Sequence, residues 1–279
     1  MDIEIIMNQF QLDYQSRFAP KTIKDYHRVV TQFLTYTEKN LEDITKRDIR
    51  NWMNHLLDGG YKEKSVYNNL CGLKTFFRYC VEEGLLVMNP AKDIPFPKLE
   101  ETLPRYLTRE QLIQLRKLLE GNILGRAIIE VLYTTGVRVS EMVNMKREDI
   151  NWNEGFIVIP KGKGKKERIV MFTRQCGEYL KLHLEEQPND SPYIFASPRK
   201  QLHPVRSDTI GRLFQRYSKL LGFKVTPHTL RHTFAAHLAR KGMPVACIQQ
   251  LLGHDDISST RIYAKLYDHA RKEQYDEWT

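Results

Sequence analysis

Apolar residues recur at spacings of three and four through most of this chain, the period of helices that bury one face. Ile23, Tyr26, Val29, Val30, Phe33 and Leu34 make one stripe, opened by Ala19-Pro20-Lys21-Thr22. Ile44, Ile49, Trp52 and Leu56 make a second over 43–57, which Gly59-Gly60 stops. Val66, Leu70, Leu73 and Phe77 make a third over 65–79. Prolines at 90, 95, 97 and 104 then break the pattern and predict a linker over 89–106. Thr108-Arg109-Glu110-Gln111 has the form of a capping box opening the next helix. Helical spacing returns at about 173–186, 207–221, 228–241 and 244–252. A strand pattern occurs once: Phe156-Ile157-Val158-Ile159-Pro160 and Glu167-Arg168-Ile169-Val170-Met171-Phe172 flank a Gly/Lys-rich turn at 161–166, which predicts a hairpin. The expected fold class is therefore mainly α with a small β-sheet or hairpin, in two domains: a helical part at 1–88 and a mixed α/β part at 107–279.

The 279 residues suffice for two modest domains, each with its own core. Charge adds a direction. Residues 1–100 hold 14 Lys+Arg against 14 Asp+Glu, whereas 101–279 hold 29 against 20, so the whole +9 lies in the C-terminal part. One-sided positive charge favours a polyanionic partner, although basic soluble proteins are common. No apolar run approaches the roughly 18 residues of a membrane span, and the opening residues 1–7 carry acids where a secretory signal would carry lysines. Cys71, Cys80, Cys176 and Cys247 are scattered without a C-x-x-C pair, as expected of reduced thiols in a cytoplasmic protein rather than a disulfide framework or a zinc site.

Candidate chemistry is spread along the chain. Arg138 follows an apolar helical run at 128–133 that Gly136 should end, and Glu141, three residues on, can orient its guanidinium if both share a helical turn. His228 and Arg231 share one face of a helix opened by Thr226-Pro227, which sets an imidazole beside a bidentate phosphate clamp. Read instead as a metal pair, His228 and His232 lack the Glu that a zincin carries at position 229. The turn with Lys163, Lys165 and Lys166 lacks the spacing of a nucleotide-binding loop; it reads as a tip for a DNA groove or as a solvated turn. Lys64, Asn68, Lys74 and Arg78 form the polar face of the 65–79 helix, open to the same two readings. His254 follows Leu251-Leu252-Gly253 at a helix end, and Tyr263 lies nine positions later; alone, one is a helix-end cation and the other a core aromatic. Taken together, a phenol, two arginines and two imidazoles suit attack on a phosphodiester by a tyrosine hydroxyl.

The order and flanks of these residues resemble the tyrosine recombinases, the phage integrase family, and most closely its Xer type. The motifs that carry the resemblance are T-G-x-R-x-S-E at 135–141, G-K-G-x-K-x-R at 162–168, H-x-L-R-H at 228–232, and L-L-G-H at 251–254 followed by Tyr263. The resemblance implies a core-binding helical domain, a linker and a catalytic domain. Tyr263 would be the nucleophile, leaving a 3′-phosphotyrosyl link and a free 5′-hydroxyl. Arg138 and Arg231 would clamp the phosphate, Lys163 would protonate the departing oxygen, His228 would assist proton transfer at Tyr263, and His254 would hydrogen-bond the phosphate. Glu141 would stand behind them as a support. No metal or other cofactor is implied. The implied partners are specific core sites on double-stranded DNA and further copies of this chain, forming a tetramer on a Holliday junction. A second recombinase or accessory protein stays open, as does the choice between chromosome or plasmid resolution and mobile-element integration or excision. The chemistry alone also admits a type IB topoisomerase-like relaxase, and the charge alone admits a DNA-binding factor that does not cleave.

Overall fold

A computed structural model describes residues 3–99, 104–160, 167–187, 191–200, 202–253, 263–264 and 267. The chain divides into two compact units, Met1–Glu101 and Thr102–Thr279. The first holds four α-helices among its described residues: α1 (Ile3–Tyr14), α2 (Pro20–Thr37), α3 (Lys46–Asp58) and α4 (Glu63–Glu82). The stripe over 43–57 becomes a helix at Lys46, because Thr45 and Asp48 form a reciprocal capping box and 41–43 make a separate short turn. Phe33, Trp52, Phe76 and Phe77 meet in the core of this unit, with Phe33 5.3 Å from Trp52 and 6.1 Å from Phe77 between ring centroids. Helix α1 lies ahead of the first predicted stripe. It buries Ile6, Met7, Phe10 and Tyr14, each contributing about 1.5–3 kcal/mol of apolar transfer when fully buried, and Tyr79 Oη donates to Asp13 at 2.8 Å. Within the stretch read as a linker, Ala91 and Ile94 are buried in this same core.

The second unit contains, in order, α5 (Arg109–Leu118), α6 (Ile123–Thr135), α7 (Val139–Val143), β1 (Ile150–Asn151), β2 (Phe156–Ile159), β3 (Arg168–Met171), α8 (Arg174–Glu186), α9 (Ser207–Leu221), α10 (Pro227–Arg240) and α11 (Val245–Leu252). Thr108 and Gln111 form the anticipated capping box of α5. Helix α6 is buried along most of its length and packs against α8 and α10. Its one buried acid, Glu130, takes a bidentate pair from Arg116 at 2.8 and 2.6 Å and a further contact from Arg126 at 3.1 Å, so the charge is compensated. The hairpin predicted over 156–172 is present, with the two-residue β1 added on the outer side of β2 to make an antiparallel sheet in the order β1-β2-β3. Ile157, Ile159 and Val170 point into the core, while Ile169 and Met171 face outward.

The chain enters this unit under tight control. Leu107 donates its amide to Thr233 Oγ1 at 2.9 Å, and its carbonyl meets Nε2 of His237 at 3.0 Å. The other ring nitrogen of His237 meets the Tyr133 hydroxyl at 3.1 Å, which fits a neutral ring donating from Nε2 and accepting at Nδ1. Burial holds that imidazole below its ordinary pKa. Among the described residues, no helix is long and apolar enough to cross a membrane.

Candidate active site

Two helix ends make the floor of the site. Gly136 closes α6 and Gly253 closes α11, both in the left-handed region at φ 63° and 61°. At neither position is there room for a side chain. A Cβ on Gly136 would lie 2.4 Å from Cδ1 of Phe234, and one on Gly253 would lie 2.9 Å from Cδ and Nε of Arg168. The carbonyls exposed where these helices stop carry the negative end of the helix dipole, a place suited to cations.

Both predicted arginines come to these carbonyls. Arg231, on α10, is 3% exposed and donates to Gly136 O at 2.5 Å and Leu252 O at 2.8 Å, so it bridges the two helix ends. Burial first, and then the charge of Arg138, lowers its guanidinium to about 10. Arg138 precedes α7 and reaches Gly253 O at 3.4 Å. Its Nη1 and its backbone amide each donate to the Glu141 carboxylate at 2.9 Å, so Glu141 orients the guanidinium as its spacing predicted. Glu141 also accepts from Arg168 at 2.6 and 3.2 Å. Burial alone would raise the Glu141 pKa, but the hydrogen bonds from Arg168 and from the Arg138 amide override it and hold the carboxyl at about 2.

Tyr263 is 1% exposed and packs on the small face of α10 made by Ala235, Ala236 and Ala239, with Ile248 and Leu252 of α11 beside it. Alanines there let the ring lie close to the helix axis. Burial pushes the phenol well above its usual range, an effect that the charge of Arg231 partly offsets. Its hydroxyl is hydrogen-bonded to Nδ1 of His232. One turn earlier, the ring of His228 packs edge-on against His232, with centroids 4.1 Å apart. The His228 side chain is open to solvent on one side, yet surrounding atoms desolvate its ring. That desolvation, and then the charges of Arg231 and Arg138, lower its pKa.

The structure thus brings together Arg138, Glu141, His228, Arg231 and Tyr263. Lys163, Lys165, Lys166 and His254 lie outside the described residues. In the first unit, Asn68 is exposed on α4, but two nearby lysines have intramolecular partners. Lys64 Nζ lies 4.8 Å from the Tyr67 ring, while Lys74 Nζ lies 4.5 Å from Phe96 and donates to Lys92 O at 3.0 Å. Tyr67 and Phe96 stack between them at 4.5 Å.

Two residues of the site were not singled out from sequence. His232 was visible as the second imidazole of H-x-L-R-H, and its i+4 spacing from His228 placed it on the same side of α10. Arg168 pairs with Ile159, whose side chain is buried, and strand alternation therefore turns this arginine inward. An inward charge calls for a partner, and that partner is Glu141.

Comparison with known proteins places the chain among tyrosine recombinases. A model described as the phage integrase family matches residues 105–270, and one for the phage integrase N-terminal SAM-like domain matches 6–85. The chain is 36% identical over 245 residues to the tyrosine recombinase XerA of Pyrococcus furiosus, covering 87% of this chain and 84% of the relative. Among solved structures, a crystal structure of XerA recombinase aligns with a TM-score of 0.56 and 32% identity, covering 98% of this chain and 97% of the other. A lambda integrase tetramer bound to a Holliday junction aligns with a TM-score of 0.73 at 24% identity, covering 92% and 78% respectively.

Proposed function

Because the chain belongs to the phage integrase family and is a tyrosine recombinase, we propose that it cleaves and rejoins DNA at specific sites through a 3′-phosphotyrosyl intermediate at Tyr263. The observation that carries the proposal is the hydrogen bond of the Tyr263 hydroxyl to His232 on the helix that also bears Arg231.

A phenol with an ordinary pKa near 10 is a poor nucleophile at neutral pH and must give up its proton as it attacks. His232 Nδ1 is placed to receive that proton. His228, packed on the His232 ring and held neutral by its surroundings, assists the transfer. Arg138 and Arg231 grip the non-bridging oxygens of the scissile phosphate and stabilise the charge that gathers there in the transition state. Their fixed orientation means that little reorganisation is needed at the moment of reaction. Lys163 protonates the departing 5′-oxygen and His254 hydrogen-bonds the phosphate, both assigned from their motifs. The phosphotyrosyl ester conserves the energy of the broken bond, so a second 5′-hydroxyl can reverse the step and exchange strands.

A partner chain is part of the proposal. The lambda integrase that resembles this fold is a tetramer on a Holliday junction, and we extend that assembly, and the cytoplasmic site of action, to this chain. Lys64, Asn68 and Lys74 on α4, with Lys165 and Lys166, serve DNA contact; Lys74 must leave Lys92 O to do so.

A nicked suicide duplex carrying the recognised site tests the reading. Cleavage releases the short strand, and the covalent adduct accumulates with wild type and vanishes in Tyr263→Phe. Exchange between two such sites separates a recombinase from a relaxase acting alone. If wild type yields no adduct on a site that it binds, the chain is a DNA-binding factor and the proposal fails.

A further inference from the structure

Arg168 is a charge turned into the interior of the second unit, and none of the roles above uses it. Its strand partner is Ile159, and both neighbours of that pair on the same face, Ile157 and Val170, are buried. The side chain is 15% exposed. From β3 it crosses over Gly253, where a Cβ would lie 2.9 Å from its Cδ and Nε and 3.0 Å from its Cζ. Its two terminal nitrogens then clasp Glu141 at 2.6 and 3.2 Å.

Both features that Arg168 touches also hold Arg138. Glu141 accepts from Arg138 Nη1 and N, and Gly253 O accepts from Arg138 Nη2. Arg168 supplies two of the four hydrogen bonds that reach the Glu141 carboxylate among the described residues. The second guanidinium matters electrically as well. A lone Glu141 would neutralise Arg138, whereas the trio keeps a net positive charge for an anion.

Resting on the functional reading above, we propose that Arg168 is a positioning residue for cleavage. It fixes Glu141 on one side and seats against Gly253 on the other. The Arg138 guanidinium is thereby held in the orientation that grips the scissile phosphate, and Arg168 itself does not touch DNA.

The test uses full-length protein and three versions of the suicide duplex. One has a normal phosphate, one a methylphosphonate whose non-bridging methyl removes the negative charge, and one a bridging 5′-sulfur that leaves without a proton. Arg168→Met should keep DNA affinity and lose about 10²-fold in single-turnover cleavage of the normal duplex, the scale of a misplaced catalytic group. The defect should shrink on the methylphosphonate, which needs no cationic clamp, and persist on the bridging sulfur. Arg168→Lys, which keeps the charge without the fork, should retain the melting temperature but recover only part of the rate. In an Arg138→Ala background, Arg168→Met should cost nothing more, since the two act through one contact.

Three results overturn the assignment while leaving the function intact: unimpaired cleavage by Arg168→Met, full additivity with Arg138→Ala, or rescue by the bridging sulfur, which would tie Arg168 to the leaving group. A wild type that forms no adduct overturns the functional reading and this assignment together.

Discussion

The hydroxyl of Tyr263 and Nδ1 of His232 are hydrogen-bonded across a sequence gap of 31 residues. The contact joins the proposed nucleophile to the helix that carries the buried Arg231. His232→Ala should therefore lower adduct formation within the 10²–10⁴-fold range typical of a lost general base, with binding of the intact duplex preserved. Quench-flow cleavage beside a gel-shift titration would measure both. Equal losses in the two would make His232 a support of the DNA-bound fold instead.

His228 offers a pH readout that does not require turnover. Burial, then Arg231 and Arg138, keep its pKa below the ordinary value of 6.5. Its neutral form is thus favoured in the folded protein, and the stability this contributes is present above 6.5 and lost as pH falls through the lowered value. Replacing Arg138 by Ala removes a positive neighbour and should shift the His228 titration upward in NMR. An unchanged or lower midpoint would contradict the placement of these two charges.

Arg231 bridges Gly136 O and Leu252 O, so its removal has two separable effects. Arg231→Ala should destabilise the second unit, at about 1–3 kcal/mol for each buried carbonyl left unpaired, and should abolish cleavage under conditions where the variant remains folded. Arg231→Lys cannot reach both carbonyls with a planar fork, and its cleavage should stay low even where its urea midpoint recovers. A lysine variant that cleaves at the wild-type rate would remove the clamp from the mechanism.

Glycine at 136 is required twice over, by its positive φ and by Phe234. Gly222 also has a positive φ, of 73°, but a Cβ there meets nothing within 4 Å. Gly222→Ala should cost about 1–2 kcal/mol of backbone strain, and Gly136→Ala clearly more, by equilibrium denaturation of the two variants side by side. Equal costs would mean that Phe234 yields without penalty.

The Glu141 carboxyl, held at about 2 against an ordinary 4.5, ties the two arginines to the fold. A depressed acid contributes stability that is complete above the unfolded value and fades as pH drops toward the folded one. Wild type should therefore lose stability between about 4.5 and 2 more steeply than Glu141→Gln. Parallel acid-unfolding curves would show that the ion cluster adds nothing.

Much of this architecture was legible in the residues because helical stripes are periodic and capped. Thr108 with Gln111, Gly136 after 128–133, and Thr226-Pro227 before His228 each mark a boundary by local chemistry, and each stands in the structure. Helix α1 escaped because its buried residues Ile6, Met7, Phe10 and Tyr14 lie ahead of the clear Pro20 start, among acids and amides, without a strong cap. β1 escaped because two residues carry no periodicity; it exists through pairing with β2. The site was readable to the extent that motifs name residue types. Its contacts were not, since the meeting of His232 with Tyr263 and of Arg168 with Glu141 depends on how α10, α11 and β3 pack. Lys74 teaches the converse: a basic side chain on a polar face can be occupied by its own backbone, through Lys92 O, and by the Phe96 ring.

The fastening of Leu107 to Thr233 and His237 has a mechanical corollary. These two side chains belong to α10, with Thr233 directly after His232 and His237 one turn further on. Leu107 is thereby tied to the same helix that holds the Tyr263 hydroxyl through His232, so loosening either anchor would also loosen the seat of that ring.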